Sequence, residues 1–222
     1  MAQLNDSSRL HTMAPGLLSP QRRIGLTGGI ASGKSSVARL LIDKGLPVLD
    51  ADQMARQALA PGTAATAAVL DRYGSKVASA DQHNASEPEL DRKALGRIVF
   101  ADQNERHWLE ELIHPLVQAQ LLKEMQHLAT EPVLVLMIPL LFEAGLQTLC
   151  TEVWLIDCNQ TVQLQRLIAR DALSPAEASA RISSQWPMQR KRELADLVIN
   201  NNGTLADLIS QVDGHSRSTG IS

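Results

Sequence analysis

The chain has 222 residues, enough for one globular unit with insertions around a substantial core. Hydrophobic residues make up 44% and charged residues 20%, an ordinary balance for a folded protein, whereas aromatic residues make up only 3%. The formal net charge of -3 and the scarcity of aromatic side chains argue against a nucleic-acid partner, because such proteins use basic surfaces and stacking platforms.

The sequence also argues against a membrane protein. Its longest apolar run, residues 132–142, is too short to span a bilayer, and the N-terminus lacks the apolar core of a secretory signal. Cys150 and Cys158 lack metal-ligand spacing and are expected to be buried, reduced thiols. We therefore expect a cytoplasmic protein with no membrane or obligate protein partner.

The first elements predict an α/β core. Residues 1–21 are polar and irregular and are expected to form a disordered extension. A strand at 22–27 runs into a glycine-rich turn and a helix at 34–44, and a second strand at 46–49 precedes a helix at 53–59. This succession of strand, helix and strand is typical of a parallel α/β sheet.

No strand is predicted from residue 63 to 130. Helices are predicted at 63–73, 90–100 and 104–128, with a loop at 75–88 and a break or kink at His114-Pro115. This block is interpreted as a helical insertion in the core.

The sheet resumes after residue 130. Strands are predicted at 133–138, 153–157 and 197–199, helices at 161–170, 175–185 and 203–212, and a flexible tail at 214–222.

A phosphate-binding loop is the most specific motif. Gly28 to Ser35 fits G-x-x-x-x-G-K-[ST], follows a strand and opens a helix, which is the context that this motif requires. Glycines allow close approach of the backbone, whose amides point at phosphate oxygens. Lys34 should reach the β- and γ-phosphates, and Ser35 should hold Mg²⁺ with the phosphates. The expected ATP-binding residues here are Gly28, Gly29, Ile30, Ala31, Ser32, Gly33, Lys34, Ser35 and Ser36.

Two carboxylates follow the second strand. Asp50 and Asp52 should lie at the same sheet edge as the loop, where one of them could accept a proton from an acceptor hydroxyl or hold the metal through water. Either could instead cap the next helix, and the two roles are compatible. The chain has no N-K-x-D stretch, which argues against a GTPase switch.

The segment 161–190 carries arginines suited to a phosphoryl-transfer lid. Arg166 and Arg170 are four residues apart and share one helix face, and Arg181 lies on the next helix. The alternative is a solvated face that pairs with acids such as Asp171.

With these motifs the chain resembles the dephospho-CoA kinases. The likeness covers residues 24–212 and is most specific at 25–35 and at 139–143; it includes the aspartates at 50–52 with Arg56, the stretches 98–100 and 109–115, the arginines at 166, 170 and 181, Gln185, and residues 195–203. It implies an ATP- and Mg²⁺-dependent kinase that phosphorylates the 3′-hydroxyl of dephospho-CoA.

The resemblance also implies a P-loop kinase in three parts. The core would comprise 22–60, 131–160 and 191–213, a helical domain at 61–130 would hold the acceptor, and 161–190 would form the lid. Lys34, Asp52 and Arg170 would be catalytic, with Asp52 as the base, and Asn200 would lie near the adenine. The substrate-binding residues would be Asp50, Arg56, His114, Glu143 and Arg166.

Several alternatives stay open. His114 could be structural, Glu143 could orient substrate or cap a helix, and the basic run 189–192 leaves the lid lysine undefined. A nucleoside monophosphate kinase and a nucleotide-binding regulator without turnover are the rival functions.

Overall fold

The structure is a computed structural model, and it describes residues 21–79 and 89–218. The extension expected at residues 1–21, apart from Gln21, and most of the loop predicted at 75–88 lie outside these residues. Gln21 itself is anchored, because its side-chain amide donates to the carbonyl of Leu128 at 2.6 Å.

A five-stranded parallel sheet forms the core. Its strands are β1 (Arg22–Gly28), β2 (Val48–Asp50), β3 (Val133–Met137), β4 (Glu152–Asp157) and β5 (Leu197–Asn200). Their order is β2-β3-β1-β4-β5, and every pairing is parallel. The strand that precedes the glycine-rich turn is therefore the central one, and the predicted parallel sheet is confirmed.

Helices surround this sheet. They are α1 (Lys34–Asp43), α2 (Ala51–Ala58), α3 (Ala64–Tyr73), α4 (Arg92–Ala101), α5 (Gln103–His127), α6 (Gln160–Asp171), α7 (Pro175–Ser183), α8 (Met188–Leu194) and α9 (Leu205–Ser218). No helix within 21–79 and 89–218 combines the length and the apolar character needed to cross a membrane.

The strands are buried on both faces, which explains their continuous apolar sequences. In β3, Val135 and Met137 pack with α1 and α9, whereas Leu134 and Leu136 face α2 and α5. The helical insertion has a separate small core around Val69, Leu95 and Val99. This second core lets α3, α4 and the first half of α5 pack as a unit beside the sheet.

The structure differs from the sequence prediction in three respects. Helix α8 was not predicted, because its short sequence is polar and carries only a weak helical pattern. Helix α9 continues to Ser218, so residues 214–218 belong to a helix and not to the expected tail. Both cysteines are free, and Cys158 is buried as expected, whereas Cys150 is only half-buried.

Of the break or kink predicted at His114-Pro115, the break is wrong. Helix α5 runs without interruption from Gln103 to His127, with Pro115 inside it. A proline in a helix loses one hydrogen bond and crowds the preceding turn, at a cost of about 3 kcal/mol. Burial of Ile113 before the proline and of Leu121 and Met125 after it offsets that cost, because both halves are fixed by packing.

Replacing Pro115 with alanine should therefore stabilise the protein. Pro115 is exposed, so the substitution loses little packing, and it restores a helix hydrogen bond. After allowance for the freer unfolded chain, the gain should be about 2 kcal/mol, measured as a higher melting temperature. Pro175→Ala is the control, since Pro175 occupies a helix start where proline is favourable, and it should give no gain. A lower melting temperature for Pro115→Ala would show that α5 depends on its proline.

Candidate active site

The candidate site lies where β1, β2 and β3 end. Parallel strands bring their carboxyl ends to one edge, and here that edge carries the turn after Gly28, the Asp50–Asp52 segment and the segment that follows Ile138. The hydroxyl of Thr27 donates to the carbonyl of Pro139 at 3.1 Å and so ties the end of β1 to the segment after β3.

The glycine-rich turn has the backbone of an anion cradle. Ala31 and Gly33 have φ values of 57° and 99°, in the left-handed region that lets successive amides turn inward. The amide of Ser32 donates to the carbonyl of Gly29 at 3.1 Å, which closes the turn. α1 then starts at Lys34, so its N-terminal dipole points at the same space.

Asn201, which follows β5, holds this turn through a side-chain hydrogen bond. Its side-chain amide donates to the carbonyl of Ser32 at 2.7 Å, and the asparagine is almost fully buried. A side chain at position 33 would collide with this amide, so Gly33 is required for close packing as well as for its φ value.

Lys34 is folded back onto the turn. Its ammonium donates to the carbonyls of Gly28 and Gly29 at 3.0 and 2.9 Å. Burial lowers the pKa of Lys34 to about 8, with Asp52 acting in the opposite direction and Lys191 and Arg170 adding to the depression. An ammonium that is poorly solvated in this way favours an incoming anion such as a phosphate.

Asp50 and Asp52 have different roles in the fold. Asp50 caps α2 by accepting from the amides of Asp52 and Gln53 at 2.9 and 3.2 Å, which confirms the capping alternative for this residue. The carboxylate of Asp52 is left facing the cleft. Its pKa is raised by removal from water and then by Asp50, while Lys34, Arg56 and Arg170 act to lower it. Arg56 and Arg170 are thus within electrostatic range of Asp52.

A largely apolar cavity of about 270 Å³ adjoins Asp52. It lies between α2, α5 and the segment after β3, and its walls include Ala55, Ile113, His114, Val117 and Leu140. The structure therefore brings His114 to the same cavity as Asp52, as the substrate-contact interpretation requires. It does so although the two residues lie on different helices.

A second cavity, of about 290 Å³, lies on the other side of the turn. Gly33, Ser36, Arg166 and Asn201 line it, and the guanidinium of Arg166 donates to the carbonyl of Asn201 at 3.1 Å. Asn200 does not line this cavity, and its side chain accepts from the amide of Asn202 at 3.0 Å. Of the two asparagines, Asn201 is the one that lines this cavity.

Two arginines of the predicted lid, Arg170 and Arg181, converge on the carboxylate of Asp171. Arg170 binds Asp171 through two hydrogen bonds of 2.7 and 3.0 Å, and Arg181 approaches the same carboxylate at 3.2 Å. The guanidinium of Arg181 also lies 4.4 Å above the ring of Phe100 in α4. The predicted pairing with acids is therefore present, and it leaves Arg170 close enough to Asp52 to affect its pKa.

Glu143, in the segment after β3, contacts Trp186, just before α8, and Lys191 in α8. Its Oε1 accepts from the amide of Trp186 at 3.1 Å and pairs with the fully buried ammonium of Lys191 at 2.6 Å. The contact with Lys191 is an ion pair rather than a well-aligned hydrogen bond. The capping alternative for Glu143 is wrong, because the next helix, a short 3-10 helix at Leu146–Leu149, has Gly145 at its N-cap and no side-chain cap.

Three site residues were missed by sequence reasoning. Gln163, Lys191 and Asn201 are buried polar side chains. Asn201 lies in the family-like stretch 195–203 and Lys191 in the basic run 189–192, but no local pattern distinguishes either residue from its neighbours. The signal that identifies them is burial, which only the folded chain supplies.

A preorganised phosphate turn, a carboxylate beside a cavity and arginines on a helical pair together define a phosphate-loop kinase. The family model for dephospho-CoA kinase matches residues 22–207. A dephospho-CoA kinase of Synechococcus sp. (strain CC9605) is 61% identical over 86% of this chain and 90% of that protein, and one of Parasynechococcus marenigrum is 58% identical over 86% and 93%. The chain belongs to the dephospho-CoA kinase family.

Solved structures agree with this assignment. The dephospho-CoA kinase of Campylobacter jejuni has a TM-score of 0.64 and 29% identity, over 90% of this chain and 98% of that one. The crystal structure of TT1252 from Thermus thermophilus has a TM-score of 0.73 and 34% identity, over 92% and 100%. The predicted family, fold class and kinase activity are confirmed.

The lowered pKa of Lys34 makes a prediction about stability. The unfolded lysine keeps its proton to about pH 10.4, whereas the folded one releases it near 8. Between these values the unfolded state binds more protons, so the stability contributed by this residue rises with pH.

Lys34→Met should abolish turnover without lowering the stability of the ligand-free protein near pH 7. It should also remove part of the rise in stability between pH 8 and 10, measured by denaturant unfolding at several pH values. Lys44→Met serves as the control, because the ammonium of Lys44 instead forms an ion pair with Asp213 at 2.7 Å. An identical pH dependence in wild type and Lys34→Met would contradict the assigned environment of Lys34.

Proposed function

We propose that this chain transfers the γ-phosphoryl group of ATP to the 3′-hydroxyl of dephospho-CoA, giving CoA and ADP. The observation that carries the proposal is the position of Asp52. Its carboxylate lines a cavity on one side and lies within electrostatic range of Lys34 and Arg170 on the other. A hydroxyl held in that cavity has a proton acceptor and the phosphate turn beside it.

The turn from Gly28 to Ser36 binds the triphosphate. Its amides and the start of α1 hold the β-phosphate, and Lys34 exchanges the carbonyls of Gly28 and Gly29 for phosphate oxygens. The cavity beside Arg166 and Asn201 receives the adenosine, with Asn200 in the adjoining turn. This arrangement directs the γ-phosphate toward Asp52.

The residues at this edge fit Mg²⁺, which prefers oxygen ligands and retains several waters. Ser35 is exposed at the first turn of α1, Asp50 ends β2, and Asp52 lies in the first turn of α2. Ser35 would hold the ion together with the phosphates. When bound, the ion neutralises phosphate charge.

Asp52 acts as the general base. Its raised pKa is closer to neutrality than that of an ordinary aspartate, which makes the carboxylate a better proton acceptor. The acceptor hydroxyl gives its proton to Asp52, its oxygen bonds to the γ-phosphorus, and the bond to ADP breaks. Lys34 and Arg170 neutralise the charge on the transferring group.

The remaining residues hold the acceptor and close the site. Arg56 and His114 contact dephospho-CoA. The helical domain at 61–130 holds the coenzyme A moiety of this substrate, and residues 161–190 act as the lid. Arg170 leaves Asp171 for the phosphates when the lid closes. Glu143 acts indirectly, by holding Trp186 and Lys191 in place. The reaction takes place in the cytoplasm.

An acceptor panel tests the function. ADP release is measured with dephospho-CoA, AMP, CMP or no acceptor. Release that depends on dephospho-CoA supports the proposal. Preference for AMP or CMP would identify a nucleoside monophosphate kinase, and nucleotide binding without turnover would identify a regulatory protein.

The two aspartates can be separated by amide substitution. Asp52→Asn removes the base and should lower kcat by about 10²–10⁴, with the affinity for dephospho-CoA largely kept. Asp50→Asn should be mild, because asparagine is an equally good helix cap. The measurement is steady-state kinetics of both variants with a binding assay for the acceptor. Loss of activity in Asp50→Asn alone would reverse the two roles.

A further inference from the structure

The backbone amide and the backbone carbonyl of Ile30 each form a hydrogen bond with a glutamine from the predicted lid. The amide of Ile30 donates to the side-chain carbonyl of Gln185 at 2.8 Å. The carbonyl of Ile30 accepts from the side-chain amide of Gln163 at 2.9 Å. Gln163 lies on α6 and Gln185 follows α7, so two segments of the predicted lid grip one residue of the phosphate turn.

This grip explains a glycine that the phosphate-loop pattern does not require. The pattern fixes Gly28 and Gly33 but leaves position 29 open. A side chain at position 29 would collide with the amide nitrogen of Gln163 and would lie 3.0 Å from the sulfur of Met188. Gly29 is therefore the residue that lets Gln163 reach Ile30.

The glutamines are themselves held in place. Gln163 is 2% exposed and lies one turn before the fully buried Leu167. Gln185 precedes Trp186, whose amide donates to Glu143, and Glu143 is paired with the buried Lys191. Gln185 is thus connected through one peptide to the segment after β3. The contacts to Ile30 depend on where α6 and the α7–α8 connection lie.

We propose that Gln163 and Gln185 are positioning residues that link the position of the lid to the shape of the phosphate turn. With the Ile30 amide bound to Gln185, the other amides of the turn remain for a phosphate, and the two glutamines fix the arrangement of these amides through Ile30. A displacement of α6 or of the α7–α8 connection moves Ile30 with it. The inference rests on the proposed nucleotide binding at this turn, but not on the identity of the acceptor.

The two contacts have opposite hydrogen-bond polarity, and this gives a sharp test. Gln163 must donate and Gln185 must accept, because their partners are a carbonyl and an amide. Gln185→Glu keeps an acceptor, whereas Gln185→Met removes it. In the ligand-free protein, exchange of the Ile30 amide should remain slow in Gln185→Glu and become at least several-fold faster in Gln185→Met.

Nucleotide affinity supplies the second measurement. Gln163→Met and Gln185→Met should each weaken ADP binding by roughly three- to tenfold, the loss expected for one hydrogen bond, as measured by calorimetry. The affinity for dephospho-CoA should change less. Gln189→Met is the matched control: Gln189 is an exposed glutamine of α8 that donates to Glu193 at 3.0 Å, and its loss should leave ADP affinity unchanged.

A double-mutant cycle tests the role of Gly29. Gly29→Ala should weaken ADP binding by displacing Gln163, and Gln163→Ala should weaken it by removal. The double variant should bind ADP no more weakly than Gln163→Ala alone, because the added methyl group then meets only the flexible side chain of Met188, which can shift.

Unchanged ADP affinity in both methionine variants would overturn the proposal, and so would additive losses in the cycle. If Gln163→Ala does not fold, the half-exposed Gln185 still decides the outcome through its methionine and glutamate variants. Failure of the proposed function is a different result: wild type would bind ADP but would not phosphorylate dephospho-CoA.

Discussion

The structure depends on one constraint, which is that several backbone amides must point at the same space before any anion arrives. A free chain would not hold that turn, because it needs left-handed backbone at Ala31 and Gly33. Neighbouring side chains hold it instead: Asn201 binds the carbonyl of Ser32, and Gln163 and Gln185 bind Ile30. The central position of β1 makes this possible, because β1 pairs with β4, and the segments that follow β4 and β5 bring Gln163 and Asn201 to the turn. Preorganised dipoles of this kind stabilise developing charge without reorganising during the reaction.

The charges of the site alternate in a way that complements this turn. Two cations, Arg170 and Lys191, and two carboxylates, Asp52 and Glu143, lie close enough to Lys34 to affect its pKa. The burial that lowers this pKa is unfavourable for the empty protein and is relieved by a phosphate. Glu143 keeps the buried charge of Lys191 compensated, which is necessary because an unpaired buried ammonium would be strongly destabilising. The site therefore combines a stable fold with an unsatisfied affinity for anions.

The sequence predicted the parts of the site that are contiguous in the chain. Gly28 to Ser35 form a local pattern, and the strand before Asp50 places a carboxylate at the sheet edge, so the phosphate turn and the Asp50–Asp52 segment could be located from spacing alone. Asn201 could not be located in this way, because it lies 169 residues from Ser32, which it contacts. Gln163 and Lys191 belong to polar segments that resemble solvated helix faces, and only tertiary packing buries them. The helix break predicted from Pro115 is absent for the same reason, since packing on both sides of the proline outweighs its local preference.

The most direct test of the account is the position of the phosphate in the product. Wild-type protein is incubated with ATP, Mg²⁺ and dephospho-CoA, and the purified product is examined by phosphorus NMR with proton coupling. A phosphate turn facing Asp52 and a bound ribose predicts one new phosphomonoester, on the ribose 3′-oxygen, with one ADP formed for each product. A phosphate at another oxygen, or consumption of ATP without a phosphorylated acceptor, would contradict it.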